Sequence, residues 1–477
     1  MAKRKATTTR TIVLEILMEL LPDNEVSDDG EVLAGQSGVF LPKENVLIRS
    51  VLDKYDYLEV RDKAFIKRLA EGCVEQKLKL DYVIRTYSGT PFRKIKPVIL
   101  NILRMGIYQI LLMDAIPDSA ACNEAVNLAV DKGFRGLSGY VNGMLRTIAR
   151  EKEHIPWPEK SDREAYLSVM YSMPGWLVHM WMEHYGDEIT EKMLAAFQEP
   201  SGLTVRCQEN LTKEQCSRWE KEIRKQGCEL NRHPYLPYAY TMKNVEGVTK
   251  LYGFSEGMFT VQDISSMLTV ELAGIRKGDH VIDVCAAPGG KTMHVAQKTG
   301  NAGIVDAGDI SEEKLALIRE NADRLQPVML QEGKLRLHLW DARNIEETLI
   351  GKADVVLADL PCSGLGVIGH KGDIRYRVTR QQIVELAELQ REILKAVYQY
   401  LKPGGILMYS TCTICEEENE KNRAWILEHL PMEAVLLDLP EGMKENCQTC
   451  REGYLQMLPG IHQSDGFFMA KFRRRME

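Results

Sequence analysis

Two cysteines occupy positions suited to chemistry: Cys362 in Asp359-Leu-Pro-Cys-Ser-Gly364 and Cys412 in Tyr409-Ser-Thr-Cys-Thr413. An apolar run precedes each, and the second follows the turn Lys402-Pro-Gly-Gly405, so both thiols are expected just past the ends of strands. A single cysteine is most often a small buried hydrophobe. Two at strand ends, one of them beside Asp359, point instead to a reactive pair, with thiolate as the active form. A thiolate is the group needed to make an electron-poor ring nucleophilic. Carbon 5 of cytosine is too weak to attack a methyl sulfonium, but addition of sulfur to carbon 6 makes carbon 5 enamine-like. A carboxyl group near ring nitrogen 3 would stabilise the charge that develops there.

A third stretch on the same expected rim is Val281-Ile-Asp-Val-Cys-Ala-Ala-Pro-Gly-Gly-Lys-Thr292, a strand entering a small turn, followed by a helix pattern through Met293, Val295 and Ala296. Asp309 ends the next apolar run about 20 residues further on, the spacing of a nucleotide-binding half of a doubly wound sheet. The tail Gly290-Lys291-Thr292 fits a phosphate-binding loop, but Cys285 stands where that loop needs its first glycine. A G-x-G-x-x-G dinucleotide fingerprint is absent as well. A turn without a pyrophosphate cradle, followed by an acid for ribose hydroxyls, suits S-adenosylmethionine better; the plain alternative is a strand-to-helix connection with incidental glycines.

These groups must be positioned by a sheet. Parallel strands are predicted at 281–284, 303–307, 335–339, 355–357 and 405–410, and helices at 263–275, 290–298, 311–325, 380–401 and 417–429. Ligands of such sheets bind outside the carboxyl ends of the strands. Asp283 to Gly290, Asp309, Asp341, Asp359 and Cys412 all fall there.

The chain has 477 residues, 44% hydrophobic and 27% charged, which predicts a globular protein of two to four domains. No uncharged apolar run is long enough for a membrane span, and no signal-type apolar core follows the basic start. Eleven scattered cysteines suit a reducing cytoplasm. A net charge of −7 gives no global nucleic-acid signature, so RNA contacts would rest on local basic patches: Arg93-Lys94-Ile95-Lys96, the stretch 371–380, and Lys471-Phe-Arg-Arg-Arg475. Each is otherwise a solvated face.

Residues 8–20 read as an amphipathic helix, 22–44 as a long acidic loop, and the pattern to residue 150 as five to seven helices, one opened by Pro97 and one capped by Ser119 or Asp118. This defines an all-helical domain over 1–150. A proline-bearing linker follows at 152–162. A small α+β domain is expected over 163–260, with a helix over 176–197, a strand at 203–206, a helix at 212–226 and irregular or extended chain at 229–240. His179, His184 and His233 lie there without metal-ligand spacing. The doubly wound domain occupies 261–477.

The helical segment resembles the NusB-like RNA-binding domain. The resemblance rests on Arg61-Asp-Lys-Ala-Phe65 with Gly72, Ile99-Leu-Asn-Ile-Leu-Arg-Met-Gly-Ile-Tyr-Gln-Ile110, Ile116-Pro117, Asn123-Glu124-Ala125-Val126 and Val141-Asn-Gly-Met-Leu145. With the two cysteine motifs, the turn 281–292, Gln262-Asp263 and Asp465-Gly-Phe-Phe468, nearly the whole chain resembles the RNA 5-methylcytosine methyltransferases that carry such a domain. The resemblance implies S-adenosylmethionine as cofactor, held by Cys285, Ala286, Ala287, Pro288, Gly289, Gly290, Lys291, Asp309, Asp341 and Asp359. It implies Cys412 as nucleophile, Cys362 as the thiol that helps product release, Asp359 also against the cytosine, Lys291 near the base, and the aromatics of Asp465-Gly-Phe-Phe468 edging the base site. It further implies 16S ribosomal RNA as substrate, free or early in assembly, and a cytoplasmic enzyme; a monomer is expected, without a membrane or a metal.

Two features depart from the pattern: the acidic loop 22–44 and Cys447-Gln-Thr-Cys450. The latter, with Cys412 and Cys415, mimics a paired zinc signature, but the gap is too long for a zinc ribbon. The same chemistry on transfer RNA is the near alternative. An amino-group methyltransferase would need no thiol, and a non-catalytic RNA-binding or antitermination factor would need neither the thiols nor the cofactor.

Overall fold

The structure, a computed structural model, describes residues 8–21, 43–199, 202–446 and 449–476. The acidic loop 22–44 therefore falls almost wholly outside the described residues, as does Cys447. By internal contacts the chain forms two units: Met1–Glu199 with Ile368–Arg377, and Pro200–Val367 with Val378–Glu477.

The first unit is helical: α1 Thr9–Leu20, α2 Glu44–Lys54, α3 Val60–Glu75, α4 Lys77–Tyr87, α5 Pro97–Leu112, α6 Asp118–Asp131, α7 Ser138–Glu151, α8 Arg163–Met170, α9 Gly175–Tyr185 and α10 Asp187–Ala196. Helix α5 is the core, buried continuously from Ile99 to Ile110. Pro97 sits in its first turn, where its missing N–H costs nothing. Close packing onto α5 explains two glycines: a Cβ on Gly72 would meet the Tyr108 ring at 2.0 Å, and one on Gly106 would meet Leu145 at 2.7 Å. The polar residues of this apolar helix are satisfied, since Arg104 donates Nε and Nη2 to Asp81 at 2.7 and 2.8 Å and Nη1 to Asn101 at 2.8 Å.

Three expectations change here. Neither Ser119 nor Asp118 caps α6: its N-cap is Pro117, and Asp118 is inside the helix, paired with Lys152. The helix over 176–197 is two helices, because Gly186 takes φ +78° and breaks the run. The basic stretch 371–380 is not a uniformly solvated face. Its turn Ile374–Arg377 (α16) belongs to the helical unit, where Arg375 is buried and donates to the carbonyls of Gly372, Ser172 and Tyr171. Arg93, Lys94 and Lys96, by contrast, are exposed.

The second unit opens with an antiparallel sheet in the order β2-β3-β1-β4, from β1 Leu203–Cys207, β2 Glu229–Arg232, β3 Ala239–Lys243 and β4 Phe259–Val261. Helix α11, Lys213–Lys225, starts with a Thr212–Gln215 capping box and buries Trp219 against Tyr240 and Phe259. Of the expected extended residues 229–240, β2 takes 229–232 and β3 begins at 239, and β2 pairs only with β3.

An eight-stranded sheet follows. Its strands are β5 His280–Asp283, β6 Ile304–Asp309, β7 Leu335–Leu339, β8 Ala353–Asp359, β9 Leu401–Thr411, β10 Met432–Ala434, β11 Tyr454–Met457 and β12 Phe467–Arg474. Between them run α12 Ile264–Ala273, α13 Gly290–Thr299, α14 Glu312–Leu325, α15 Pro327–Gln331, α17 Arg380–Val397 and α18 Glu420–His429. The order is β10-β12-β9-β8-β5-β6-β7, with β11 paired to β12. The five predicted strands are parallel neighbours; β10, β11 and β12 add antiparallel pairings. Strand order reverses between β5 and β8, which makes that point the expected ligand crevice of a doubly wound sheet.

Candidate active site

Read across the sheet, the carboxyl ends of β9, β8, β5, β6 and β7 lead into Cys412, Asp359 with Cys362, the turn 284–290, Asp309 and Asp341. Residues far apart in sequence are thereby lined along one rim.

The turn after β5 is held from both sides. Ala286 N donates to Gly308 O at 3.0 Å, and Ala287 N donates to Asp309 Oδ2 at 3.0 Å. Gly289 takes φ +102°, which favours glycine there, and caps α13. Gly308 is required by a close approach: a Cβ would lie 2.0 Å from the Trp340 indole, whose Nε1 donates to Val284 O. Asp283 is fully buried, accepts from Thr292 Oγ1 at 2.7 Å, and keeps Oδ1 without a partner. Burial pushes its carboxyl up to about 7. The Cys285 thiol is pushed far up by burial and then by Asp309, Asp283 and Asp359, which disfavours its thiolate. The same three acids put carboxyl groups around the recess, two of them paired with Lys314 and Lys291. Small residues and carboxyl groups around the turn suit a cationic sulfonium nucleoside better than a phosphate.

Asp309 and Asp341 differ. Asp309 also accepts from Ile310 N and Lys314 Nζ, at 2.7 and 2.8 Å. Asp341 is turned to Arg343, which donates to both its oxygens and holds its carboxyl below the usual range. The structure brings Asp309 onto the turn and leaves Asp341 paired elsewhere.

Lys291 and Asp359 form a buried-edge ion pair at 2.7 Å. Lys291 Nζ also donates to Ser266 Oγ at 3.1 Å and lies 5.2 Å from the Phe467 ring centroid. Asp359 accepts from Ser410 Oγ at 2.8 Å. Burial opposes the Lys291 ammonium, but the charge and hydrogen bond of Asp359, with Asp283 and Cys412, outweigh it and hold the amine above its ordinary value. The thiols of Cys362 and Cys412 lie 3.2 Å apart. That contact, then burial, pushes the Cys362 thiol well up. Cys415, by contrast, is buried with its thiol on Glu417.

Both aromatics of the signature 465–468 are buried: Phe467 lies over the Lys291 ammonium, and Phe468 packs against Tyr409 and Tyr454. Gly466 N donates to Gly366 O at 2.9 Å and Gly366 N donates to Cys412 O at 3.1 Å. Sequence reasoning missed this contact and the polar groups behind the thiols, Glu418, Asn419 and Gln390. The run Glu416-Glu-Glu-Asn-Glu420, four residues after Cys412, was the available signal.

Comparison with known proteins agrees with this architecture. Three families match: "NusB family" at residues 7–150, "Methyltr_RsmF/B-like, ferredoxin-like domain" at 173–249 and "16S rRNA methyltransferase RsmB/F" at 271–473. The chain is 33% identical over 476 residues to the probable ribosomal RNA small subunit methyltransferase B of Bacillus subtilis, covering 99% of this chain and 100% of that one. It is 32% identical over 416 residues to ribosomal RNA small subunit methyltransferase B of Salmonella arizonae, covering 87% and 91%. In fold it is similar to the crystal structure of PH0851, with a TM-score of 0.74 at 24% identity over 98% of this chain and 100% of that one. Among the described residues no helix is long and apolar enough to cross a membrane. A helical NusB domain, a ferredoxin-like part and a mixed α/β part place the chain in the RsmB family of 16S rRNA methyltransferases, enzymes dependent on S-adenosylmethionine.

Proposed function

We propose that the protein methylates carbon 5 of a cytosine in 16S rRNA through a covalent adduct between Cys412 Sγ and carbon 6. The observation that carries this is the thiol pair, 3.2 Å apart at the ends of adjacent strands and beside the Lys291–Asp359 ion pair. S-adenosylmethionine, when bound, supplies an activated methyl group; the turn 285–291 and Asp309 would hold it. The Lys291 ammonium favours the thiolate of Cys412. Its Sγ forms a bond to carbon 6, and the electron pair moves toward nitrogen 3, where a proton passed from the Lys291 ammonium through the Asp359 carboxyl stabilises the charge. Carbon 5 is then nucleophilic. Once carbon 5 carries the methyl group, its proton leaves to a base, the ring double bond re-forms and Sγ of Cys412 is expelled. The neighbouring thiol of Cys362 assists that release. Phe467 and Lys291 line the side where the base enters.

A cytosine must leave its stack to reach these thiols. We therefore place the reaction on free or early-assembly RNA, and methylation of assembled small subunits faster than of free RNA would contradict this. The mechanism is tested with wild type, Cys362→Ala, Cys412→Ala and the double variant, incubated with S-adenosylmethionine and 16S RNA and run on a denaturing gel. A protein–RNA adduct is expected in Cys362→Ala and not in the double variant. Methylation persisting in Cys412→Ala would refute the assignment.

A further inference from the structure

The ladder between β8 and β9 ends at Asp359 and Ser410, and one more backbone bond, Leu360 N to Ser410 O at 3.0 Å, follows. The two thiols lie beyond that point, so other groups must set their separation. Those groups are consecutive in the chain. Glu418, fully buried, accepts from Ser363 N at 2.9 Å on Oε1 and from Ser363 Oγ at 2.5 Å on Oε2. Asn419, equally buried, accepts from Thr411 Oγ1 at 2.6 Å and donates to Thr413 O at 3.1 Å. Glu418 therefore grips the residue after Cys362, and Asn419 grips the residues on both sides of Cys412.

The residue before Cys362 is held as well. Gln390 Nε2 donates to Pro361 O at 2.8 Å and to Glu418 Oε1 at 3.0 Å. The Tyr409 hydroxyl donates to Glu418 O. The hydroxyls bridge the loops directly: Ser363 Oγ gives its one proton to Glu418, so Thr413 Oγ1 is the donor in the 2.7 Å contact with Ser363 Oγ. No cation faces the carboxylate within this network, and burial holds it above its ordinary value.

We propose that Glu418 and Asn419 are positioning residues that set the distance between the Cys362 and Cys412 thiols. They touch no reacting atom and act through the loops they bracket. The assignment deepens the covalent reading and rests on it for its consequence in catalysis. Its geometric content does not depend on that reading.

The test is capture of the thiol pair by phenylarsine oxide, which bonds two sulfurs at once, followed by the loss of thiols titratable with a chromogenic disulfide; Cys362→Ala and Cys412→Ala serve as blanks. Wild type is expected to react as a dithiol. Glu418→Asp, one methylene too short to reach Ser363, should be captured about tenfold more slowly while Cys412 is still alkylated singly. Glu418→Gln should retain capture: its oxygen keeps the two N–H donors, and its NH2 can donate to a reversed Ser363–Thr413 hydroxyl chain. Ser363→Ala, which removes the bridge without shortening the acid, gives a second reading should Glu418→Asp melt early. Normal capture in a folded Glu418→Asp and in Ser363→Ala would overturn the proposal. With RNA and cofactor, Glu418→Asp should accumulate the adduct as Cys362→Ala does. Absence of any adduct in Cys362→Ala, with dithiol capture still sensitive to Glu418→Asp, would sink the covalent reading and leave the clamp standing.

Discussion

Asp309 and Asp341 stand at the ends of neighbouring strands, and the arrangement of their donors separates them sharply. A carboxylate has about four lone-pair sites. Asp309 uses three, for Ala287 N, Ile310 N and Lys314 Nζ, and one is left for a ribose hydroxyl. The loss in Asp309→Ala is then one charge-assisted hydrogen bond, about 1.5–3 kcal/mol. That corresponds to a Kd for S-adenosylmethionine raised about 10- to 150-fold. Releasing Lys314 adds little, because its ammonium is half exposed and such pairs contribute under about 1 kcal/mol. Asp341 has both oxygens engaged by Arg343, with a further bond from Arg343 N. No site remains without breaking that pair, so Asp341→Ala should change Kd by less than about threefold. Isothermal titration calorimetry on the two variants decides the matter. A Kd for Asp309→Ala within about twofold of wild type, or equal losses in the two variants, would refute the reasoning.

Three further outcomes follow from the same geometry. A Cβ on Gly366 would meet Gly466 O at 1.9 Å and Cys412 O at 2.9 Å, both backbone atoms, so Gly366→Ala should lower the melting temperature and abolish methyl transfer; unchanged activity would show that this approach is not needed. Asp283 has a folded-state pKa raised to about 7 from an unfolded value near 3.9, so its neutral form stabilises the fold below the unfolded pKa and that contribution is lost as pH rises through 7. Asp283→Asn should accordingly melt higher than wild type at pH 8, with the gain shrinking toward pH 4, and calorimetry showing a pH-independent difference would contradict this. Arg104→Leu leaves Asp81 buried without its partner and should destabilise the helical unit by about 3 kcal/mol, read from denaturant unfolding; a loss below 1 kcal/mol would mean Asp81 is satisfied otherwise.

The parallel strands and the rim residues were readable because their causes are local. Apolar runs of strand length, a turn of small residues after Asp283, and Pro-Gly-Gly before β9 are each written within a few positions. What escaped depends on partners distant in the chain. Strands β10 to β12 have no pattern distinguishing them from the parallel set, and they are defined by pairing with β9 and one another. Phe467 and Phe468 look alike in sequence, yet alternation along β12 sends them to opposite faces, one over Lys291 and the other against Tyr409 and Tyr454, though both are buried. Arg375 reads as a surface charge until the carbonyls of Tyr171 and Ser172 are seen to receive it. The helix break at Gly186 was a local signal, outweighed by the apolar periodicity on either side.

Strand β12 pairs with the strand that delivers Cys412, its first residue lies under Lys291, and Gly466 just before it completes the contact with Gly366 and the Cys412 carbonyl. Synthesis runs the other way: β9 and both thiols leave the ribosome well before β12 exists. A growing chain can thus complete its helical unit while the rim with the two thiols still lacks an edge. Premature termination ahead of residue 466 would therefore leave both thiols without the strand that borders them, although every residue of the helical unit had been made.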